Sequence, residues 1–404
     1  MNLQPAFKLS EIEEAFKRLR SKRFKKSFDT TRRFSLFEEK ALNALGKYLE
    51  KANPENYFES LRNYSLDPYD GFKIEKSKDK FRPLLVPRPK DRIILAAAFP
   101  KIKEKLQTIL RKNKALGLGL TRYEETTEFK KTLGAILSRI ESGKGQFILK
   151  LDFKDFFSSI NRERLLGFLS PYFKTKKQKI IFELIKECIN NSIAADNDFW
   201  KEFKRLDLKK LGVPQGLSYS PLLASFYATP LDAVVKKVKG CVGYRYLDDM
   251  IILCPDETKA KDIFDLIKQE SLELKLNLHP LEPGSKTQLI NIEEKNFEFL
   301  GIEISKKGLL IPKKAIEDFE KVIQQEIVTK TTMREFGLGK VLQVYVKYAR
   351  GWANHYGTIC PDDYEKVAPK INLFLKNYIE KLSLRKKFFG PHRMTIVRPF
   401  IDLV

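Results

Sequence analysis

Three aspartates lie where strand-like segments end, and their placement suits metal chemistry. The strand-like segment GQFILKLDF is predicted to end at Asp152, its next-to-last residue. Asp248 and Asp249 lie between two apolar runs in YRYLDDMIILC. Aspartate is a poor strand residue and adjacent carboxylates repel each other, so the placement needs a reason. If both segments belong to one sheet, the carboxylates meet at one edge and need cations between them. Oxygen ligands of this kind favour Mg²⁺, and two such ions can support phosphoryl transfer.

The two adjacent aspartates are predicted to lie in a β-hairpin. CVGYRY and DMIILC predict two strands joined at a tip formed by Leu247 and Asp248. Strand alternation directs Asp248 and Asp249 to opposite faces, so we predict Asp248 as the main partner of Asp152 and Asp249 as auxiliary. Taken alone, the pair could also be the polar tip of an ordinary turn.

Other segments predict the elements around this hairpin. Two strand-like pieces flank the charged turn SKDK, and GVPQGLSYSPLLASFYA predicts a Gly/Pro loop followed by a helix with Ser220 as its N-cap. FEFLGIEIS, residues 297–305, predicts one strand. Beyond Pro312, apolar residues recur every three or four positions, which indicates a small helical bundle.

The charge of the chain predicts a polyanionic partner. Lys and Arg number 76 against 52 Asp and Glu, for a net charge of +24 and a pI near 9.6. Nucleic acid is the simplest such partner, and an acidic membrane surface ranks second because the basic residues are not gathered beside an apolar anchor. A basic run with interleaved phenylalanines, residues 17–33, suits phosphate binding or a solvated helix face equally well.

Localisation and metal class follow from what the sequence lacks. The longest strongly apolar run, IILAAAF, is too short to span a bilayer, and the N-terminus lacks the apolar core of a signal peptide. We therefore expect a cytoplasmic protein without a membrane partner. The four cysteines show no CxxC spacing, and they predict reduced, buried thiols rather than a zinc site.

The ordered motifs of the chain resemble those of reverse transcriptases. In order they are K-x5-RPLLVP, LDFKDFF, PQGLSYSPLLASFYA, YLDD, a lysine before Thr287, and FLG, spread over residues 70–305. The segment YARGWANHYG is similar to the thumb of group II intron-type bacterial enzymes. The resemblance implies an α+β right-hand polymerase fold with fingers, an antiparallel-sheet palm and a helical thumb.

The resemblance also implies a division of the chain. We expect a basic helical N-terminal extension at 1–70, fingers at 71–145, the first part of the palm at 146–160, connecting fingers and palm helices at 161–210, the rest of the palm at 211–310, and a helical thumb with the C-terminal region at 311–404.

Site residues are carried over by position in the motifs. Asp152 and Asp248 would bind two Mg²⁺ ions, or Mn²⁺, with the Phe153 carbonyl assisting and Asp249 completing the carboxylate set. The residues implied for nucleotide binding are Lys76, Arg82, Phe157, Gln215 and Lys286, those for the primer grip are Phe299, Leu300 and Gly301, and those for template or duplex contacts are Arg92 and Arg350.

Several of these residues carry a second interpretation. Lys76 and Arg82 would hold the incoming triphosphate but could be surface cations on a charged turn. Phe157 would exclude a 2′-hydroxyl, which predicts deoxynucleotide selection, or would be a core phenylalanine. Arg92 could contact the template backbone or pair with Asp91.

Roles are also implied for three more residues. Gln215 would lie near the nucleotide sugar or cap the following helix. Lys286 would protonate the departing pyrophosphate, as general acid catalysis requires. Trp352, in the thumb, could touch a duplex but is better placed for core packing.

The implied function is RNA-directed DNA polymerisation from an RNA template, a DNA or RNA primer and deoxynucleoside triphosphates. From the length after the thumb we expect none of the added domains of intron-encoded proteins, and the sequence lacks the NAxxH and VTG signatures of retrons. It is therefore similar to stand-alone bacterial enzymes associated with antiphage defence, and a dedicated non-coding RNA is a candidate partner. The alternatives are an RNA-dependent RNA polymerase, a template-independent nucleotidyl transferase and a non-catalytic maturase-like RNA-binding protein. The oligomeric state stays open.

Overall fold

The computed structural model describes residues 1–27, 36–77, 80–112, 125–194, 212–326 and 346–384. The chain divides into two compact units, and each is described by itself. Unit 1 comprises residues 1–24 and 34–291, and unit 2 comprises residues 25–33 and 292–404.

Helices and one hairpin form the N-terminal half of unit 1. Asn53 begins the third helix by accepting hydrogen bonds from the N–H groups of Glu55 and Asn56. The predicted strands around SKDK are confirmed as an antiparallel pair. The elements are α1 (Leu9–Ser27), α2 (Leu36–Lys51), α3 (Pro54–Ser60), β1 (Asp70–Ser77), β2 (Lys80–Val86), α4 (Pro89–Lys112) and α5 (Glu125–Glu141).

A four-stranded antiparallel sheet lies at the centre of unit 1. Its strands are β3 (Phe147–Leu151), β5 (Val242–Tyr246), β6 (Asp249–Cys254) and β8 (Gln288–Asn291), in the order β5-β6-β3-β8. Five consecutive residues of β6 are buried, as expected for a strand next to the centre of a covered sheet. The predicted hairpin with a two-residue tip at Leu247 and Asp248 is therefore confirmed.

Helices pack on this sheet and join its strands. The PQG loop runs into two short helices, and a two-strand pairing of β4 (Phe153–Lys154) with β7 (Asn277–Leu278) lies beside the sheet. The helices are α6 (Phe156–Ser159), α7 (Arg162–Leu169), α8 (Lys176–Asn190), α9 (Ser220–Tyr227), α10 (Thr229–Lys237) and α11 (Glu257–Glu273). Residues 195–211, which include the end of the connecting helices predicted at 161–210, lie outside the described residues.

Unit 2 begins with a small antiparallel sheet. The segment predicted as one strand, FEFLGIEIS, is instead two strands, β9 (Phe297–Phe299) and β10 (Ile302–Ser305), and β11 (Gly308–Leu310) pairs on the other side of β10. The prediction was wrong because Leu300 and Gly301 have φ values of 53° and 76°, and this left-handed pair reverses the chain.

Helices complete unit 2, as the apolar spacing beyond Pro312 predicted. α12 (Lys313–Lys321) runs into a π-helical turn, Val322–Glu326; α13 spans residues 346–359 and α14 spans Pro361–Leu384. Phe319, Ile323, Ala349, Ile371 and Leu375 form their shared core.

Two further expectations concern the whole sequence. In the part of the chain that the structure describes, no helix is long and apolar enough to cross a membrane. All four cysteines are buried free thiols, as predicted. Cys241 and Cys254 face each other at the base of the β5–β6 hairpin, with their Sγ atoms 3.4 Å apart.

Candidate active site

Strand register brings the three aspartates to one edge of the central sheet. Leu151, the last residue of β3, pairs with Met250, so Asp152 and Asp249 each directly adjoin the last pair of the β3–β6 ladder. Tyr246 pairs with Asp249 across the hairpin, which leaves Asp248 in the adjoining turn. The register thus brings Asp152 and Asp249 to the same end of the two paired strands. The ranking of Asp248 as the main partner stays a prediction.

Three residues of the loop after β7 contact Asp152. Asp152 Oδ1 lies 3.5 Å from Lys286 Nζ and 3.3 Å from His279 Nε2. The Asp152 carbonyl accepts a 3.0 Å hydrogen bond from the His279 N–H, and the Asp152 N–H donates to Thr287 Oγ1 over 3.4 Å. The loop therefore holds both the backbone and the side chain of this aspartate.

Lys286 was predicted from the sequence, whereas His279 was not. His279 reaches Asp152 because β7 pairs with β4, which sets Leu278 opposite Phe153, one residue from each partner. Spacing along the chain does not reveal this pairing. The only available signal was a histidine a few residues before the predicted lysine.

The PQG loop packs backbone to backbone on two other elements. Leu85 N–H donates to the Gln215 carbonyl over 2.7 Å, which joins the loop to β2. Val213 N–H donates to the Phe157 carbonyl over 3.0 Å, which joins it to α6. Gly216 has a φ of +121°, and a Cβ there would lie 2.2 Å from the Leu85 carbonyl oxygen, so this position requires glycine.

Ser220 differs from the prediction that it caps α9. It is the first residue of the helix, and Tyr219 occupies the N-cap position. The Ser220 hydroxyl instead donates a 2.6 Å hydrogen bond to the Pro214 carbonyl. Its oxygen thereby stabilises the turn of the PQG loop rather than the free N–H groups of the helix.

Phe157 is half-buried beside the PQG loop. Its ring packs edge-on against Phe156, with ring centroids 5.9 Å apart, and it borders the main core of unit 1. This position is compatible with both predicted roles, sugar discrimination and core packing.

The fingers residues are only partly described. Lys76 lies on β1 and Arg82 lies on β2 opposite Ile74, but their side chains are outside the described part of the chain. Burial lowers the pKa of the half-buried Arg92 guanidinium. Its contact with template stays a prediction.

Asp91, next to Arg92, is fully buried and holds the preceding loop. Its carboxylate accepts hydrogen bonds from the Tyr64 hydroxyl over 2.7 Å and from the Asp67 N–H over 3.0 Å. Burial raises the pKa of Asp91 to about 6, although both hydrogen bonds act in the opposite direction.

The remaining predicted residues lie in unit 2. Phe299 is fully buried, and Leu300 and Gly301 form the left-handed turn after it. Arg350 is exposed on α13. The primer-grip and duplex roles of these residues stay predictions.

Trp352 packs inside unit 2, as predicted. Its ring centroid lies 5.0 Å from that of Phe319 and 4.6 Å from that of Tyr356. A cavity of about 460 Å³ opens beside it, lined by Lys347, Tyr348, Gly351, Trp352, His355 and Tyr356.

The donor chemistry at the sheet edge fits a divalent cation. Asp152 Oδ1 lies close to the nitrogens of His279 and Lys286, and the neighbouring end of β6 carries a further carboxylate, the ligand type that Mg²⁺ and Mn²⁺ prefer. Among the described side chains, no three His, Cys, Asp or Glu groups are close enough together to hold a metal ion. The assembled three-aspartate site thus stays a prediction.

Comparison with known proteins identifies both family and fold. The family described as reverse transcriptase (RNA-dependent DNA polymerase) matches residues 74–304. A search of curated proteins found no match. Among solved structures, the chain is similar to apo telomerase from Candida tropicalis, with 13% identity and a TM-score of 0.50 over 93% of this chain and 76% of that one.

A second similar structure is telomerase from Candida albicans in complex with a fragment of telomeric RNA. Identity is 14% and the TM-score is 0.49, over 91% of this chain and 66% of that chain. The chain therefore spans slightly less than two thirds of that telomerase.

The family match and the mixture of helices with antiparallel sheets confirm the predicted α+β right-hand polymerase fold. Proteins with this domain are nucleotidyltransferases that use divalent metal ions. The matched residues make up more than half of the 404-residue chain. The chain belongs to the reverse transcriptase family.

Proposed function

We propose that the chain is an RNA-directed DNA polymerase that extends a DNA or RNA primer along an RNA template with deoxynucleoside triphosphates. The observation that carries the proposal is the β3–β6 register, which brings Asp152 and Asp249 to the same end of the two strands, next to the Asp248 turn. Carboxylates gathered from separate parts of a chain, with a lysine beside them, suit phosphoryl transfer.

The roles at the sheet edge follow from donor type. Asp152, Asp248 and Asp249 would hold two Mg²⁺ ions, with Mn²⁺ as the alternative and the Phe153 carbonyl as a further ligand. When bound, the ions would supply the positive charge that activates a primer 3′-oxygen and stabilises a leaving pyrophosphate. The Lys286 ammonium, close to Asp152, would donate the proton that the pyrophosphate needs as it leaves.

The substrate contacts come from neighbouring elements. Lys76 and Arg82 would bind the triphosphate, because an ammonium and a guanidinium pair well with phosphate oxygens. Phe157 would exclude a 2′-hydroxyl, and Gln215 would lie near the sugar. The hydrogen bonds of the PQG loop to Phe157 and Leu85 support this grouping.

Primer extension tests the proposal directly. Purified protein with Mg²⁺, a primed RNA template and deoxynucleotides is expected to synthesise DNA. Asp248→Asn with Asp249→Asn should lower the rate by at least about 10³-fold, since the charges needed for metal binding are lost while the side-chain shape is kept. Asp265→Asn, an exposed aspartate on α11, is the matched control and should retain the wild-type rate.

Other outcomes of the same assay contradict the proposal in different ways. Extension only with ribonucleotides would indicate an RNA polymerase. Homopolymer synthesis without template would indicate a transferase. RNA binding without synthesis under any condition would indicate a maturase-like RNA-binding protein.

We further propose a bacterial, group II intron-like enzyme of antiphage defence that acts in the cytoplasm on a dedicated non-coding RNA. The basic run at residues 17–33 and the net charge of +24 support an RNA partner. Sequencing of RNA that copurifies with the protein should recover one dominant species, and recovery of only random cellular RNA would count against this setting.

A further inference from the structure

A fully buried arginine contacts the turn that carries Asp248. Arg245, on β5, has no solvent exposure. Its Nε and Nη2 donate to the two carboxylate oxygens of Asp232, each over 2.7 Å. Nη2 also donates to the Ser225 carbonyl over 3.1 Å, and Nη1 donates to the Leu247 carbonyl over 3.2 Å. The guanidinium therefore connects α9 and α10 to the hairpin tip.

Stability alone does not explain this buried ion pair. Taking two charges out of water is costly, and apolar residues of similar volume often stabilise a core equally well or better. An apolar pair could not, however, donate a hydrogen bond to the Leu247 carbonyl. The contact with the turn is thus the feature that requires an arginine at this position.

The turn needs such a restraint. Leu247 has a φ of 58°, a left-handed conformation that disfavours residues with a Cβ and that glycine or asparagine normally supplies. Its carbonyl belongs to the peptide group that leads into Asp248. A hydrogen bond to that oxygen fixes the plane of the peptide group, and the plane determines the direction in which the Asp248 side chain leaves the backbone.

We propose that Arg245 is a positioning residue that holds the 247–248 peptide group, and through it the Asp248 carboxylate, in the orientation needed to bind a divalent cation. Asp232 orients the guanidinium by its two parallel hydrogen bonds. The inference rests on the proposed function insofar as Asp248 is taken as a metal ligand. Outer partners of this kind typically change metal affinity by about 10- to 100-fold when removed.

A double variant separates positioning from stability. Arg245→Met alone would leave the Asp232 carboxylate buried without its main partner, so Arg245→Met is combined with Asp232→Val to remove both charges. We expect this protein to fold with a thermal midpoint near that of the wild type. Its affinity for Mn²⁺, measured by electron paramagnetic resonance without nucleotide, should fall at least 10-fold.

A conservative variant and a matched control accompany the double variant. Arg245→Lys keeps a positive charge beside Asp232 but cannot reach both Asp232 and the Leu247 carbonyl with one ammonium, so it should lose Mn²⁺ affinity while remaining folded. Tyr227→Phe removes another buried hydrogen bond, the one to the Leu274 carbonyl, away from the turn. It should keep wild-type Mn²⁺ affinity.

Hydrogen exchange gives a readout that needs neither metal nor synthesis. Amides in residues 244–252 should exchange faster in both Arg245 variants, and they should be unchanged in Tyr227→Phe. If the folded double variant, or Arg245→Lys where the double variant does not fold, shows wild-type exchange and Mn²⁺ affinity, the proposal is overturned. A failure of DNA synthesis in the wild-type protein would contradict the proposed function while leaving the exchange comparison decisive.

Discussion

At the scale of single residues, Asp91 shows how burial can couple stability to pH. Its folded-state pKa of about 6 lies above the unfolded value of 3.8, so the folded protein holds this proton more tightly. The stabilisation is fully present below pH 3.8 and is lost as pH rises through 6. The difference between the folded and unfolded pKa values corresponds to about 3 kcal/mol in the free energy of unfolding.

Asp91→Asn isolates this effect from the other carboxyl groups. The difference in unfolding free energy, wild type minus variant, should become more positive as pH falls from 6.5 to 4. Urea denaturation at a series of pH values measures it. A difference that stays constant over this range would show that Asp91 does not titrate differently in the folded protein.

At the scale of elements, the close approach of the PQG loop to β2 depends on one glycine. Gly216→Ala would place a Cβ 2.2 Å from the Leu85 carbonyl oxygen at a φ of +121°. We expect the free energy of unfolding to fall by about 2 kcal/mol or more, because the loop must move away from β2. The rate of primer extension should fall as well.

The matched control for this change is Gly134→Ala in α5. A Cβ at Gly134 meets no atom within 4 Å. Gly134→Ala should therefore stabilise α5 by about 0.5–1 kcal/mol and leave the rate of primer extension unchanged. Equal thermal midpoints for the two alanine variants would contradict the role assigned to Gly216.

The α13 helix offers a test within one element. Trp352→Ala removes the tilted ring contacts with Phe319 and Tyr356 and should lower the stability of unit 2 by about 2–3 kcal/mol, less than for a fully buried tryptophan. Arg350→Ala, on an exposed position of the same helix, should leave stability unchanged and weaken binding to a primed RNA template. Scanning calorimetry and filter binding measure the two effects, and an equal loss of stability in both variants would contradict the distinction.

Elements with regular patterns could be predicted from the sequence, whereas long-range contacts could not. The β5–β6 hairpin was predictable because two apolar runs bracket a two-residue tip. The turn at Leu300 was missed because a left-handed leucine has no local signature apart from the following glycine. His279 and Arg245 were missed because their partners, Asp152 and Asp232, are brought near by sheet pairing and helix packing rather than by spacing.

At the scale of the whole molecule, the charge of +24 has two opposite consequences. Like charges repel within the folded chain, so salt should stabilise the protein alone by screening that repulsion. The same charges attract phosphates, and salt weakens that attraction because releasing condensed counterions into a more concentrated salt solution gains less entropy. Stability and nucleic-acid binding are therefore expected to respond to salt with opposite signs.

This opposition is measurable in one buffer series. Between 50 and 200 mM KCl, affinity for a primed RNA template should fall by about 10³-fold if six or more phosphates are contacted, while the thermal midpoint should rise or stay level. The logarithm of affinity against the logarithm of salt concentration should be linear, and Arg350→Ala should reduce its slope by about one if that side chain binds a phosphate. A parallel fall of affinity and thermal midpoint would mean that salt unfolds the protein, and it would remove the electrostatic argument for a polyanionic partner.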